Sequence, residues 1–316
     1  MQSRVRSFAS AETLLFSSLL AVATISAAQT TAVCKFTTFK PPSGYKWASP
    51  AGINDHGTIV GAVISPPING TSYWRGLTRN PDGSMSTYTY PTVTPKYTWF
   101  SDINDSGIKV GYFGLYLHRG FVKSGNQAVT IDYLGPGTDT WLYGINKWGT
   151  IVGSFANYGS DPSGFGGFKL KNGKFIVLKV PNSTYMRAFG INDNGVVVGR
   201  YSKTSLSGFS AFYHGFIFRN NIYHTLDHPT GVSHSGTELN DINSSGVIVG
   251  NWLSRDPRIG DYLGHGFIYK NGKFQNLAYP GALLTTAMGI NNNGIIVGWA
   301  RTSDFYDIIP FKATCQ

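Results

Sequence analysis

The decapeptide GINDHGTIVG occupies residues 52–61, and five further copies follow it: DINDSGIKVG at 102–111, GINKWGTIVG at 144–153, GINDNGVVVG at 190–199, DINSSGVIVG at 241–250 and GINNNGIIVG at 289–298. Counted from Ile53, the successive intervals are 50, 42, 46, 51 and 48 residues. A period of this size is that of a propeller blade of four strands. Each copy reads as a strand end, a turn and a strand start. Ile-Asn closes the first strand, and Asn-Asp-x-Gly supplies side chains that bond the local backbone and a glycine for positive φ. The β-branched pair that follows opens the returning strand. The closing glycine predicts close backbone approach between neighbouring blades.

A second hairpin follows the decapeptide. It reads GFVKSGNQAVTIDYLGP from Gly120, GFKLKNGKFIVLKVP from Gly167, GFIFRNNIYHTLDHP from Gly215 and GFIYKNGKFQNLAYP from Gly266, with a looser GLTRNPDGSMSTYTYP from Gly76. Alternating runs around Asn-Gly or a similar pair are a strong hairpin signal. Four strands per copy result. The turns inside each hairpin lie on one face of the assembly, and the longer connections lie on the other.

The two ends decide between an open stack and a ring. After the last decapeptide the chain ends in IIPFKATCQ, one strand short of a blade. Residues 35–42, KFTTFKPP, have no earlier partner and align without a gap to KFQNLAYP at 273–280. The segment at 35–42 therefore supplies the missing outer strand of the sixth blade. Cys34 and Cys315 then fall where every other blade has a covalent turn, and a Cys34–Cys315 disulfide is expected. The expected fold is all-β, a six-bladed β-propeller closed by pairing of its N-terminal and C-terminal strands.

The first 28 residues read as a secretory signal: Arg4 and Arg6, an apolar run at 13–24, and small residues up to Ala28. Residues 29–316 form the single propeller domain, and no later stretch is long and apolar enough for a helical membrane span. A secreted or periplasmic monomer is expected. Formal net charge is +10, which favours acidic polysaccharide or anionic cell surfaces. The basic residues are scattered and no nucleic-acid motif occurs, so nucleic acid is not an expected partner.

The chain resembles the bacterial extracellular HAF family, named for a His-Ala-Phe-like motif. The matching residues are His214-Gly215-Phe216 and His265-Gly266-Phe267, together with the IN-x-x-G-x-I-V-G decapeptides. Gly stands in place of the central Ala. Arg75, Arg119 and Gly166 stand at the His position of other copies, which marks the histidine as architectural. The resemblance implies secretion and a repeat fold, and it carries no activity with it.

Little in the sequence points to catalysis. Glu238 is the one glutamate of residues 29–316, whereas glycosidase chemistry needs two facing carboxyl groups. Asp139 or Asp261 are partners it would need from another blade. The Asp55, Asp105 and Asp193 turn positions are Lys147, Ser244 and Asn292 in the other copies, a pattern that turn formation explains and calcium binding does not. His224, His228 and His234 lack metal-ligand spacing. No catalytic residue, metal or cofactor is assigned.

The connections on the loop side carry the variable chemistry: Tyr45, Trp47, Tyr97, Trp99, Trp141, Tyr185, Arg187 and Glu238 before or on the first strands, and Trp252, Arg255, Arg258, Trp299 and Arg301 after the second. Aromatic faces beside hydrogen-bonding groups suit sugar rings. The expected function is recognition of carbohydrate or cell-surface glycan at one mouth of the channel. The alternatives are a glycan-active hydrolase or lyase at that mouth, and a protein-interaction platform.

Overall fold

The computed structural model describes residues 30–67, 70–91, 97–134, 137–157, 165–204, 212–231, 236–255, 262–302 and 308–316, without the side chains of Trp47, Gly231, Arg255, Tyr262 and Leu263. The expected signal segment, Arg258, Asp261 and His234 lie outside these residues. The chain is all-β, with its sheets in a β-propeller arrangement. Four antiparallel sheets have four strands each. Their first and second strands are Lys46–Ile53 with Ile59–Ile64, Thr98–Ile103 with Lys109–Phe113, Asp139–Ile145 with Ile151–Ala156, and Tyr185–Ile191 with Val197–Ser202.

The remaining strands form one nine-stranded sheet. One antiparallel run is Gly236–Ile242, Ile248–Arg255, Tyr262–Lys270 and Lys273–Asn276. The other is Leu284–Ile290, Ile295–Arg301, Ile308–Cys315 and Cys34–Thr38. A single parallel pair, His265 with Thr285, links the runs. The ninth strand is the short Thr30–Thr31, which lies parallel to Lys273–Asn276 and was not expected from the sequence.

The expected pairing of the chain ends is present, in register from Cys34 with Cys315 to Thr38 with Phe311. The disulfide joins residues 281 apart in sequence, with Cα atoms 4.1 Å apart. It sits at the position where Lys270 and Lys273 of the neighbouring run flank the Asn271-Gly272 turn. Such a bridge persists in oxidising compartments.

The decapeptide asparagines tie the copies together. In each copy the side-chain oxygen accepts the backbone N–H four residues on, closing the local turn. The side-chain Nδ2 donates to the backbone carbonyl of the next asparagine: Asn54 to Asn104, Asn104 to Asn146, Asn146 to Asn192, Asn192 to Asn243, Asn243 to Asn291 and Asn291 back to Asn54, at 3.0–3.2 Å. All six side chains are buried, so each amide satisfies both its own turn and a neighbour's orphan carbonyl.

The core follows the same order. The valine at the ninth decapeptide position packs into the next copy's core: Val60 with Phe100 and Phe121, Val110 with Leu142 and Phe168, Val152 with Met186 and Phe216. Val198 packs with Leu239 and Phe267, Val249 with Ala287 and Phe311, and Val297 with Ile53 and Ile59. Each of those phenylalanines except Phe100, which is 1% exposed, has no exposed surface. Burying a side chain of this size stabilises by about 1.5–3 kcal/mol.

The closing glycine of the decapeptide approaches its own sheet, not the neighbouring one as the sequence suggested. A Cβ on Gly111 would lie 1.9 Å from the Trp99 carbonyl oxygen, and one on Gly199 2.0 Å from that of Arg187. A β-bulge in the first strand causes the crowding, because it pushes that strand's backbone towards the second.

Candidate functional site

The bulge recurs in all six copies, at Pro50/Gly52, Phe100/Asp102, Leu142/Gly144, Ala188/Gly190, Leu239/Asp241 and Ala287/Gly289. The residue skipped in each register is Ala51, Ser101, Tyr143, Phe189, Asn240 or Met288. All six line one cavity of about 460 Å³, within the range of small-ligand sites. Bulges re-aim side chains in this way. Two residues earlier, on the same face of the strand, Trp99, Arg187, Glu238 and Thr286 add to the wall. The second strands contribute Tyr112, Arg200, Asn251 and Trp299, each directly after the closing glycine, and then Leu253 and Arg301 two residues further on.

Five of the expected site residues therefore meet in this cavity: Trp99, Arg187, Glu238, Trp299 and Arg301. Tyr97 lines an adjoining cleft of about 220 Å³ with Trp74, Trp99, Tyr112 and His118. Trp141 is buried beneath Arg187, whose guanidinium lies 5.1 Å from its ring. Tyr185 is also buried, and its hydroxyl accepts a 3.0 Å bond from Arg200 Nη2. Tyr45 shares a 3.2 Å hydrogen bond with Thr87 on the outer strand of its own sheet. Trp252 faces away from the cavity, stacked between His228 and His265 at 5.2 and 4.0 Å. Its position two residues after Gly250 puts it on the opposite face of the strand from Asn251. The side chains of Trp47 and Arg255 lie outside the described residues.

Electrostatics divide the cavity's charged groups. Arg200 is ion-paired with Glu238. Arg187 and Arg301 lie over aromatic rings, Arg187 5.4 Å from Tyr185 and Arg301 5.3 Å from Trp299. Burial pushes the Tyr143 phenol up to about 12 and raises that of Tyr112 further. Both hydroxyls hold their protons at neutral pH and act as donors.

The opposite end of the channel is narrow, with a cavity of about 60 Å³ under the asparagine ring. Asp102 and Asp241 line it, at the position where four other copies have glycine. Each carboxylate accepts two backbone N–H bonds of 2.8 Å, Asp102 from Ile103 and Ile145, Asp241 from Ile242 and Ile290. Burial raises both carboxyls above the usual carboxylate range, and for Asp102 the Asp241 charge adds to it. A Cβ on Gly52 would lie 2.5 Å from Asp102 Oδ1, and one on Gly190 2.8 Å from Asp241 Oδ1. Copies one to three and four to six thus repeat one arrangement. The sequence carries a signal for these two residues, Asp in place of Gly three copies apart.

The histidine of the HGF motif is held structurally. His214 Nδ1 lies 2.7 Å from Asp227 Oδ2, and Arg119, at the same motif position, pairs with Asp132. Burial pushes His228 down to about 4. Among the described residues no three His, Cys, Asp or Glu side chains are grouped to hold a metal ion. No helix of the described residues is long and apolar enough to cross a membrane.

The sheet arrangement defines this chain as a β-propeller protein, and its described residues enclose a wide cavity at one channel mouth. No family model and no curated protein matches it. Among solved structures it is similar to the β-propeller domain of the Trilobed protease from Pyrococcus furiosus, at 8% identity and a TM-score of 0.48, over 86% of this chain and 94% of that one. It is also similar to a polysaccharide lyase, an ulvan lyase, at 13% identity and 0.43, over 83% and 77%. An α-L-arabinofuranosidase from Fusarium graminearum gives 12% and 0.41, over 91% and 97%. None of these likenesses bears on function.

Proposed function

We propose that this chain is a secreted, monomeric six-bladed β-propeller that binds carbohydrate at the wide mouth of its channel. In this reading the nine-stranded sheet is two blades joined by one bridging pair, with Thr30–Thr31 added to the outer edge of the fifth. The cyclic asparagine bonds and the packing of Val297 on Ile53 support that division. The apolar N-terminal run supports export, and the disulfide is consistent with an oxidising compartment.

One observation carries the functional reading. Every copy turns one bulged residue into the same cavity, and around that ring stand Trp99, Trp299 and two phenols. Flat aromatic faces take the apolar faces of sugar rings, while the phenols, Asn240 and Asn251 offer hydrogen bonds to hydroxyls. The two-carboxylate hydrolase is the weaker reading. Among the described residues Glu238 is the one carboxylate lining the cavity, so no second carboxyl faces it, and it is already ion-paired with Arg200.

The test is a glycan-array screen of the purified protein beside Trp299→Ala and Glu238→Gln variants, with reducing-end release measured on every glycan bound. Binding that weakens in Trp299→Ala without release of new ends supports a binding module. Turnover lost in Glu238→Gln would replace it with a hydrolase.

A further inference from the structure

The wide cavity is lined by three guanidinium groups and, among the described residues, one carboxylate. Glu238 is committed to Arg200. Arg187 and Arg301 have no carboxylate partner and no side-chain hydrogen bond among the described residues, although a guanidinium stays charged under all ordinary conditions. Elsewhere the half-buried cation Arg119 has its own acid, Asp132. Arg187 is instead held over Trp141 and Tyr185, with the charge facing rings. Cation–π contact supplies only part of what hydration or a counterion would.

We infer that the ligand carries an oxyanion, a uronate carboxylate or a sulfate ester on the sugar, and that Arg187 receives it. The inference rests on the carbohydrate reading and narrows it to acidic glycans. The planar guanidinium matches a carboxylate or sulfate edge with two parallel N–H donors. The Tyr112 and Tyr143 hydroxyls make no hydrogen bond within the described protein and line the same cavity. They stand as further donors towards the anion or an adjacent hydroxyl. Arg301, from the last first-to-second strand pair, lies over Trp299 and adds a second positive charge that has no carboxylate partner among the described residues. The chain's net charge of +10 attracts the same class of polymer at longer range.

The probes are oligomers of galacturonate, of mannuronate and guluronate, and of glucuronate-containing disaccharides. Each is compared with its methyl ester, which keeps the sugar skeleton and removes the charge, and with sulfated galactan oligomers. Titration calorimetry at low and moderate salt is run on wild type, Arg187→Met, Arg187→Lys and Arg301→Met, with a thermal melt to confirm that each variant is folded. Acidic members should bind about ten- to a hundredfold more tightly than their esters, less so at higher salt. Folded Arg187→Met should lose that margin, and Arg187→Lys should keep part of it. Preference for the sulfated series over the uronates assigns the anion to sulfate. Esters that bind as well as acids overturn the inference and leave the carbohydrate reading standing. No binding by any charged or neutral member removes both. A folded Arg187→Met that keeps the full margin overturns the role of Arg187.

Discussion

The side-chain amide of Asn291 donates to the backbone carbonyl of Asn54 at 3.0 Å, across 237 residues of sequence. The same bond links each of the other five asparagines to its successor. A linear stack has no use for the bond between the last copy and the first. The hydrogen-bonded ring therefore defines the narrow end of the channel and leaves the other end free to vary.

Breaking one link should be costly anywhere in the ring. Asn146→Ala removes the donor to Asn192 and the acceptor for the Trp148 and Thr150 amides, all at a buried position. A loss of about 1–3 kcal/mol for each buried group left unpaired is expected. Asn146→Asp should be no better, because it keeps the acceptor and sets a carboxylate against a carbonyl. Chemical denaturation of the two variants checks this; an Asp variant as stable as wild type would show that the inter-copy donor contributes nothing.

The disulfide closes the ring covalently where its strands already pair. With the cysteines 281 positions apart in sequence, the chain-entropy model gives about 5.6 kcal/mol. A Cys34→Ser, Cys315→Ser protein should melt well below wild type in the absence of reductant, and reductant should lower the wild type to the same level. Equal melting of both proteins in oxidising buffer would contradict the assignment.

Much of this was readable in the repeats. The asparagine ring, the cysteine pairing and the turn chemistry follow from the six decapeptides and from the match of residues 35–42 to residues 273–280, because each uses residues that recur at fixed offsets. The cavity lining was harder to read. Trp99, Arg187 and Glu238 line the cavity in step with strand alternation, but the bulge interrupts that alternation just before the decapeptide. Tyr143 and Phe189 are thereby turned inward with no local signal beyond their variability between copies. Trp252 and Tyr45 have the expected residue type, but strand face and sheet position set both away from this cavity. Thr30–Thr31 was invisible because two residues carry no periodicity.

Stability should fall as pH rises through neutrality. Asp241 is pushed up to about 7 by burial, and Asp102 is raised with it. The folded protein binds these protons more tightly than the unfolded chain. The associated stability is therefore complete below about pH 4 and is lost as pH rises through about 7. His228, pushed down to about 4, acts with the opposite sign between about 4 and 6.5. The window from pH 6.5 to 8 isolates the aspartates. Melting temperatures there should decline, and Asp102→Gly with Asp241→Gly should flatten the slope. An unchanged slope in the double variant would remove the pair as its source.

Two glycines four residues apart in one decapeptide, Gly195 and Gly199, should respond very differently to alanine. Gly195 has φ of +77° and open space around its missing Cβ; Gly195→Ala should cost about 1–2 kcal/mol. Gly199 would place a Cβ 2.0 Å from the Arg187 carbonyl oxygen. Gly199→Ala should cost about 3 kcal/mol or more, since backbone must move. Similar losses for both, measured by denaturation, would mean that the bulge geometry is wrong.

The wide mouth as the ligand site is tested most directly by a crystal structure of the protein with the glycan that binds best in solution. Sugar density between Trp99 and Trp299, with its anionic group within hydrogen-bond distance of Arg187, is the expected result. A sugar seated on the outer strands or at the asparagine ring, with the wide cavity holding only solvent, would contradict it.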